Sequence, residues 1–369
     1  MVREYMTAIG YTDSEIDKII YNCCFNKYTE DGFVRKIDSI FNFMLGIGYK
    51  NLDIVRMTVI FPQLYNLSID NINMKIDYMI GLGFRKIDVL RIFEDVPKVW
   101  GYSLNNIKKK IDELVGLGYE YEDVIRIIRK IPSIYNYSVK TIERKLEELE
   151  KLGFKGKEIK KITKVFPCLL EYNIELINDK INMMIELGYS RDEIIKMIIK
   201  FPGLTGFRID YIKQRIIDLI ELGYSMNQIK MMTIVIPEIF SYGIDNIRNN
   251  FNIMMELGYS KVEVIEMTIK LPTLIGLDID TIKEKKMFYD KLGLGNIFIS
   301  DTKYLMQSNE LSYARYMFYK TLGININMSN YRMLFYNQKE FERKYGKSNR
   351  VIMEIYGYSK KKINCKIKD

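Results

Sequence analysis

Apolar residues recur in this chain at helical spacing, within a unit that is repeated along most of its length. In one such unit the positions i, i+3, i+4 and i+7 are Ile194, Met197, Ile198 and Phe201. These positions share one face of a helix. A proline follows directly, and proline lacks a backbone donor and restricts the residue before it. The pattern therefore predicts an amphipathic helix that stops before Pro202.

Prolines and glycines give the length of the unit. All seven prolines are 35 residues apart, and a glycine stands 14 residues before each one. The prolines are Pro62, Pro97, Pro132, Pro167, Pro202, Pro237 and Pro272, and the glycines are Gly48, Gly83, Gly118, Gly153, Gly188, Gly223 and Gly258. Seven copies without a gap identify a repeat array.

Each unit carries the signals of two helices. Ser190 followed by Glu193 is a capping box, which predicts the start of the first helix, and Thr12, Ser225 and Ser260 begin similar boxes. Capping residues such as Ser103 precede a second apolar stripe, which ends at a Leu-Gly pair suited to a left-handed C-terminal cap. One pair of helices cannot bury both stripes, so neighbouring pairs must stack. The sequence predicts an all-α solenoid of tandem 35-residue helix-pair repeats.

The regularity of the array predicts three regions. Residues 1–47 form an atypical N-terminal capping repeat, in which Cys24 takes the proline position. Residues 48–292 are seven regular repeats. Residues 293–369 are degenerate repeats with a basic tail, in which ten basic residues and four acidic ones follow Gln338.

Composition excludes several classes of chemistry. The chain has no histidine, so imidazole catalysis and histidine-bound metal are excluded. The four cysteines, Cys23, Cys24, Cys168 and Cys365, lack metal-ligand spacing and are typical of a reducing intracellular compartment. We expect no enzyme activity, cofactor, metal or small-molecule substrate. No long uncharged apolar run or signal-peptide core is visible, so we expect no membrane association and a protein that stays where it is made or is a mature form.

Basic residues form two columns when the repeats are aligned. The column on the second helix contains Lys75, Lys110, Lys145, Lys180, Arg215 and Lys285, with Asn250 as the exception. The column on the first helix contains Arg56, Arg91, Arg126, Lys161 and Lys196, then fails at Met231 and Glu266. Stacked repeats would convert the columns into two rows of positive charge, which favour a polyanion such as nucleic acid. The alternative is that lysine stems cover the core and only keep their charge in water.

Aromatic residues follow the same period. The positions three residues after each proline are Tyr65, Trp100, Tyr135, Leu170, Thr205, Phe240 and Ile275. Packing between repeats is the favoured interpretation, and stacking on nucleic-acid bases is the alternative.

The unit resembles the repeat of the mitochondrial transcription termination factor (mTERF) family. The resemblance rests on the proline, the capping residue, the basic residue and the Leu-Gly pair, as in PSIYNYSVKTIERKLEELEKLGF, and covers residues 10 to 300. It implies a right-handed α-solenoid with a 3₁₀ turn after each proline and a basic concave groove that binds nucleic acid, duplex DNA more often than RNA. It implies a non-catalytic role in transcription termination or regulation of gene expression, in a mitochondrion or plastid, and otherwise in the cytoplasm. The family's basic column maps onto the second-helix column listed above. We expect a monomer.

Two other functions stay open at this point. A solenoid with a nearly neutral repeat body suits a protein-interaction scaffold. A modular DNA reader of the TAL-effector type shares the repeat length but needs a Gly-rich loop where this chain has proline.

Overall fold

The structure, a computed structural model, describes residues 1–23 and 28–356. All regular secondary structure in these two ranges is helical. The chain divides into two compact units, Met1–Lys180 and Ile181–Asp369. The predicted all-α class of tandem helix pairs is confirmed.

The first unit consists of helix pairs that alternate with short 3₁₀ turns. Its helices are α1 (Val2–Ala8), α2 (Asp13–Asn22), α3 (Glu30–Ile47), α4 (Asn51–Ile60), α5 (Ile69–Gly81), α6 (Lys86–Asp95), α7 (Leu104–Gly116), α8 (Tyr121–Lys130), α9 (Val139–Lys151) and α10 (Gly156–Val165). The 3₁₀ turns are Pro62–Asn66, Pro97–Gly101, Pro132–Asn136 and Pro167–Leu170. The unit boundary lies within α11 (Ile174–Glu186).

The second unit continues the same alternation. Its helices are α12 (Arg191–Lys200), α13 (Ile209–Glu221), α14 (Met226–Val235), α15 (Ile244–Glu256), α16 (Lys261–Lys270), α17 (Ile279–Lys291), α18 (Ile297–Ser300), α19 (Asn309–Thr321), α20 (Gln338–Tyr345) and α21 (Asn349–Tyr356). The 3₁₀ turns are Pro202–Gly206, Pro237–Ser241, Pro272–Gly276, Thr302–Met306 and Tyr331–Phe335.

The helix ends are where the capping signals predict them. The Ser190 hydroxyl accepts a hydrogen bond from the backbone N–H of Glu193, and the Glu193 carboxylate accepts from the N–H of Ser190 at 2.7 Å. Ser225 and Ser260 make the same box. Gly188, which follows the preceding helix α11, has φ +91°, the left-handed conformation that glycine adopts without strain. The predicted helix starts and glycine caps are confirmed.

Each proline begins a 3₁₀ turn that separates the two helices of a repeat. Phe201, the residue before Pro202, has φ −132° and ψ 81°, outside the helical region. The position three residues after each proline is buried in all seven regular repeats. Trp100 at this position stacks on Phe93 with ring centroids 3.6 Å apart. These side chains therefore serve packing, and base stacking by them is not supported.

The ends of the array depart from the regular pattern. An additional helix, α1, precedes the first predicted unit. After Gly293 the turn Thr302–Met306 forms without a proline, so the helix pair persists although its sequence signal is lost. Cys24, Cys365 and the final part of the basic tail lie outside the described residues. The organisation into residues 1–47, 48–292 and 293–369 stays a prediction.

Candidate nucleic-acid interface

The first-helix basic column lies on the surface of both units. Arg56, Arg91 and Arg126 have about half of each side chain exposed, and all three have an acidic neighbour. Arg56 contacts Glu94 of the next repeat at 2.7 Å, and Arg126 contacts Asp123 of its own helix at 3.0 Å. The Arg91–Asp95 pair, in which both side chains are about half exposed, contributes little to stability.

The last two members of this column differ from the first three in their contacts with acidic residues. Lys161 on α10 and Lys196 on α12 are exposed. Neither has an ion-pair partner in the part of the chain that the structure describes. Lys161 belongs to the first unit and Lys196 to the second.

Cations are densest on α8 and α10 of the first unit. The two helices pack against each other and carry seven basic residues against three acidic ones. We define the α8–α10 basic face as Arg126, Arg129, Lys130, Lys157, Lys160, Lys161 and Lys164. Within each helix these positions follow the spacing i, i+3, i+4 and, on α10, i+7, so they share one side of it. The spacing creates a two-helix cationic surface.

Two contacts hold the ends of α8 and α10 together on this surface. Lys164 of α10 lies 2.5 Å from Asp123 of α8, and Lys130 of α8 donates to the Val165 carbonyl at 3.2 Å. In the same way, Arg129 reaches back 2.9 Å to Asp88 of α6. A hydrogen bond from Arg85, with the charge of Arg129 nearby, keeps the pKa of the Asp88 carboxyl below its usual range. Buried aspartates thus orient the cations of the following repeat.

The second-helix column is located differently from the surface row that we expected. Lys75, Lys180 and Lys285 are at most 6% exposed, and Lys110 and Arg215 are buried as well. Lys145 is partly buried. The prediction that this column forms a row of charge on the surface is wrong, because its side chains point between repeats. Contact of the column with nucleic acid stays a prediction.

The buried ammonium groups bind backbone carbonyls at the end of the following proline turn. Lys75 donates to the Trp100 carbonyl, and Lys110 donates to the Tyr137 carbonyl at 2.5 Å. Lys145 donates to Leu170 and Tyr172 at 2.5 and 3.2 Å. Buried carbonyls need such partners, so each lysine fixes the turn of the repeat that follows.

Burial has the expected effect on these amines. Desolvation lowers the pKa of Lys75 and Lys145, and it lowers the pKa of Lys180 and Lys285 to about 8. Lys285 donates to the carbonyls of Leu305 and Gln307. The lysines of this column therefore act as clamps, a term used here for a side chain that holds its own repeat to the turn of the following repeat.

Two members of the column are not lysines. Asn250 binds turn carbonyls as the lysines do, whereas Arg215 makes contacts within its own helix. Asn250 donates through Nδ2 to Ile275 and Leu277 at 3.0 and 2.9 Å, the carbonyls that a lysine would bind. Arg215 instead donates to the Tyr211 hydroxyl at 2.9 Å and pairs with Asp218 at 3.4 Å.

Two further residues act as clamps and were not predicted from the sequence. Arg315, which is fully buried, donates to the Leu334 carbonyl at 2.8 Å, and Lys36 donates to the Leu67 carbonyl at 2.7 Å. Arg315 stands eight residues before Gly323, as Lys285 stands eight before Gly293, so this count would have found it. Lys36 lies on the longer helix α3, where the basic residue does not stand eight residues before the glycine.

The fold and the surface define a helical-repeat protein with a cationic face on its first helices. The mTERF family model matches residues 65–186 and 176–342, about three quarters of the chain. The protein belongs to the mTERF family, and membership indicates a nucleic-acid-binding helical-repeat solenoid. A comparison with curated proteins gave no match. None of the described helices is both long and apolar enough to cross a membrane.

Proposed function

We propose that this protein binds nucleic acid through the α8–α10 basic face, with duplex DNA as the preferred partner. The observation that carries the proposal is the placement of seven cations on one side of two adjacent helices. The exposed first-helix residues Arg56 and Arg91 extend the same surface of the first unit toward its N-terminal repeats, and Lys196 contributes a cation in the second unit.

The spacing on α10 suits a phosphate backbone. Lys157 and Lys164 are seven residues apart, which corresponds to about 10 Å along a helix axis. One DNA strand presents a phosphate about every 3.4 Å along the duplex axis. Lys157, Lys160, Lys161 and Lys164 therefore span about three phosphates of one strand, and α8 supplies a parallel set.

The second-helix column has a supporting role in this proposal. Its ammonium groups bind carbonyls of the turns, and the turns set the position of each first helix relative to the next. The rigid scaffold keeps the surface cations in register, which lowers the cost of ordering them on binding.

We propose a biological role that family membership suggests. A protein that grips the backbone of DNA without catalysis suits transcription termination or the regulation of gene expression. We propose a mitochondrial or plastid setting on the same ground, a monomeric protein, and no enzymatic activity.

The first experiment compares polymers of the same length. Fluorescence anisotropy with duplex DNA, duplex RNA and both single strands is recorded from about 50 to 200 mM salt. The proposal expects tightest binding to duplex DNA and a steep fall in affinity with salt. Failure to bind any of the four at about 50 mM salt would refute it.

An interaction scaffold is the second candidate function. Ile217 and Ile220 on α13 and Met255 on α15 are between 41% and 48% exposed, so the second helices of the second unit present apolar side chains to solvent. A partner bound there would resist nuclease and about 0.5 M salt, because apolar contacts are not screened. Capture that persists under those conditions favours this function.

A further inference from the structure

A cavity of about 400 Å³ opens beside α15 in the second unit. It is lined by the side chains of Tyr242, Asn246, Asn249 and Asn250 and by the backbone around Gly276. The volume is within the range of small-molecule sites. Three amides, one aromatic ring and an exposed stretch of backbone therefore meet in one place.

Two departures from the repeat consensus, together with a glycine that two other repeats share as Gly101 and Gly206, shape the cavity. Gly243 replaces the capping side chain found in other repeats, and Asn250 replaces the long basic side chain of the second-helix column. Gly276 lets the backbone approach Tyr242, since a Cβ at this position would lie 2.6 Å from the ring. Each departure removes atoms from the same region.

The lining selects a neutral ligand. None of the ten described residues that line the cavity is basic. Asp278 at its edge accepts hydrogen bonds from Thr281 as the cap of α17, and its negative charge disfavours a phosphate inside. The surface that binds anions is elsewhere, on the first helices.

The hydrogen-bonding groups match the edge of a nucleobase. Both donors of the Asn250 amide are used by the Ile275 and Leu277 carbonyls, which leaves its oxygen as an acceptor. Asn246 and Asn249 are exposed and supply both donors and acceptors. A side-chain amide pairs in two-point fashion with adenine, and an aromatic ring such as Tyr242 offers a stacking surface for a base.

We propose that this cavity binds a nucleobase with an exocyclic amine, adenine in the first place. The base is that of a free nucleoside or an unpaired base in a nucleic acid. Binding of an unpaired base within a nucleic acid rests on the proposed function, whereas binding of a free nucleoside does not.

The chain supplies a matched pair of variants for the test. Asn250→Lys restores the residue type of the other repeats, whose ammonium reaches the same two carbonyls, so this variant is expected to fold. Asn252→Lys adds the same charge to an exposed position two residues further along α15. Thermal melting checks both variants.

Isothermal titration with adenosine and uridine tests the site directly. Saturable adenosine binding is expected in the wild type and in Asn252→Lys, with affinity about tenfold lower in Asn250→Lys and for uridine. Adenosine binding that is absent, or that is equal in Asn250→Lys and the wild type, would overturn the proposal.

A second titration separates the two sources of the base. Duplexes with one unpaired adenine or one unpaired uracil are bound by the wild type and by Asn250→Lys. A preference for the adenine duplex that Asn250→Lys loses identifies a base within nucleic acid, and adenosine binding without that preference identifies a free nucleoside. If no duplex binds but adenosine does, the proposed function fails while the cavity proposal stands.

Discussion

The hydroxyl groups of Tyr119 and Thr163 lie 2.8 Å apart in the buried joint between two successive repeats. Thr163 donates its own proton to the Ile159 carbonyl at 2.8 Å, so the Tyr119 hydroxyl is the donor between them. The pairs Tyr189–Thr233 and Tyr224–Thr268 repeat the arrangement at 2.8 and 2.7 Å. Where phenylalanine replaces the tyrosine, at residues 84 and 154, isoleucine replaces the threonine, at residues 128 and 198. In these five joints the two side chains are therefore either both polar or both apolar. At Tyr49 the equivalent partner position is Phe93, and the tyrosine hydroxyl instead donates to the Leu90 carbonyl at 2.8 Å.

This matching predicts a non-additive double mutant. Tyr119→Phe removes the donor, and Thr163→Ile strands the buried tyrosine hydroxyl, so each single change should cost about 1 to 3 kcal/mol of unfolding free energy. The double variant recreates the natural Phe–Ile joint and should lose at least about 1 kcal/mol less than the sum. Urea unfolding measures the cycle. Additive losses would show that the two hydroxyls are energetically independent.

The clamp function of the second-helix column predicts a selective loss of stability. Lys75→Met keeps the length of the side chain but leaves the Trp100 carbonyl without its charged donor, so the free energy of unfolding should fall by about 2 kcal/mol. Lys109→Met on α7 is the control, since the Lys109 side chain is 71% exposed, and its effect should stay within about 0.5 kcal/mol. Equal melting curves for the two variants would contradict the clamp.

Lys285 predicts a pH dependence of stability. Its pKa is about 8 in the folded protein, against the usual 10.5, so the unfolded state binds more protons between these values. The stability contribution is complete above pH 10.5 and is lost as the pH falls through 8. Relative to Lys285→Met, the wild type should therefore gain about 1 kcal/mol per pH unit as the pH rises from 8 to 10.

The ionisation of buried tyrosines sets the highest pH at which the effect of Lys285 can be measured by itself. Desolvation raises the pKa of Tyr189 and Tyr224 to about 12, so their contribution is present below their usual pKa of 10 and is lost as the pH rises through 12. Denaturant unfolding of both proteins up to pH 10 isolates the lysine. A wild type and a Lys285→Met variant with parallel pH profiles would show that Lys285 keeps its usual pKa.

Local patterns in the sequence were sufficient to predict most of the fold. Proline fixes the end of a helix, Ser190 with Glu193 fixes a start, and the 35-residue period then gives the other helix boundaries of the regular repeats. The persistence of a turn at Thr302–Met306 could not be predicted, because packing against the previous repeat replaces the missing proline.

The candidate site was only partly predictable. Lys161 lies opposite the apolar stripe of its helix and faces solvent, whereas Lys110 lies at the flank of its stripe, where burial depends on how the next repeat packs. A residue at the flank of an apolar stripe can serve either purpose. Likewise Asp88 and Arg129 are 41 residues apart, more than one repeat, so no helix-local rule links them.

The salt dependence of DNA binding by two triple variants tests the central proposal most directly. Lys157→Ala/Lys160→Ala/Lys161→Ala removes three cations from the α8–α10 basic face, and Lys108→Ala/Lys109→Ala/Lys140→Ala removes three exposed cations from second helices of the same unit. Net charge changes equally in both. The account predicts that the slope of log affinity against log salt flattens by about 0.9 for each lost phosphate contact in the first variant and stays near the wild-type value in the second. Equal slopes for the two variants would contradict it.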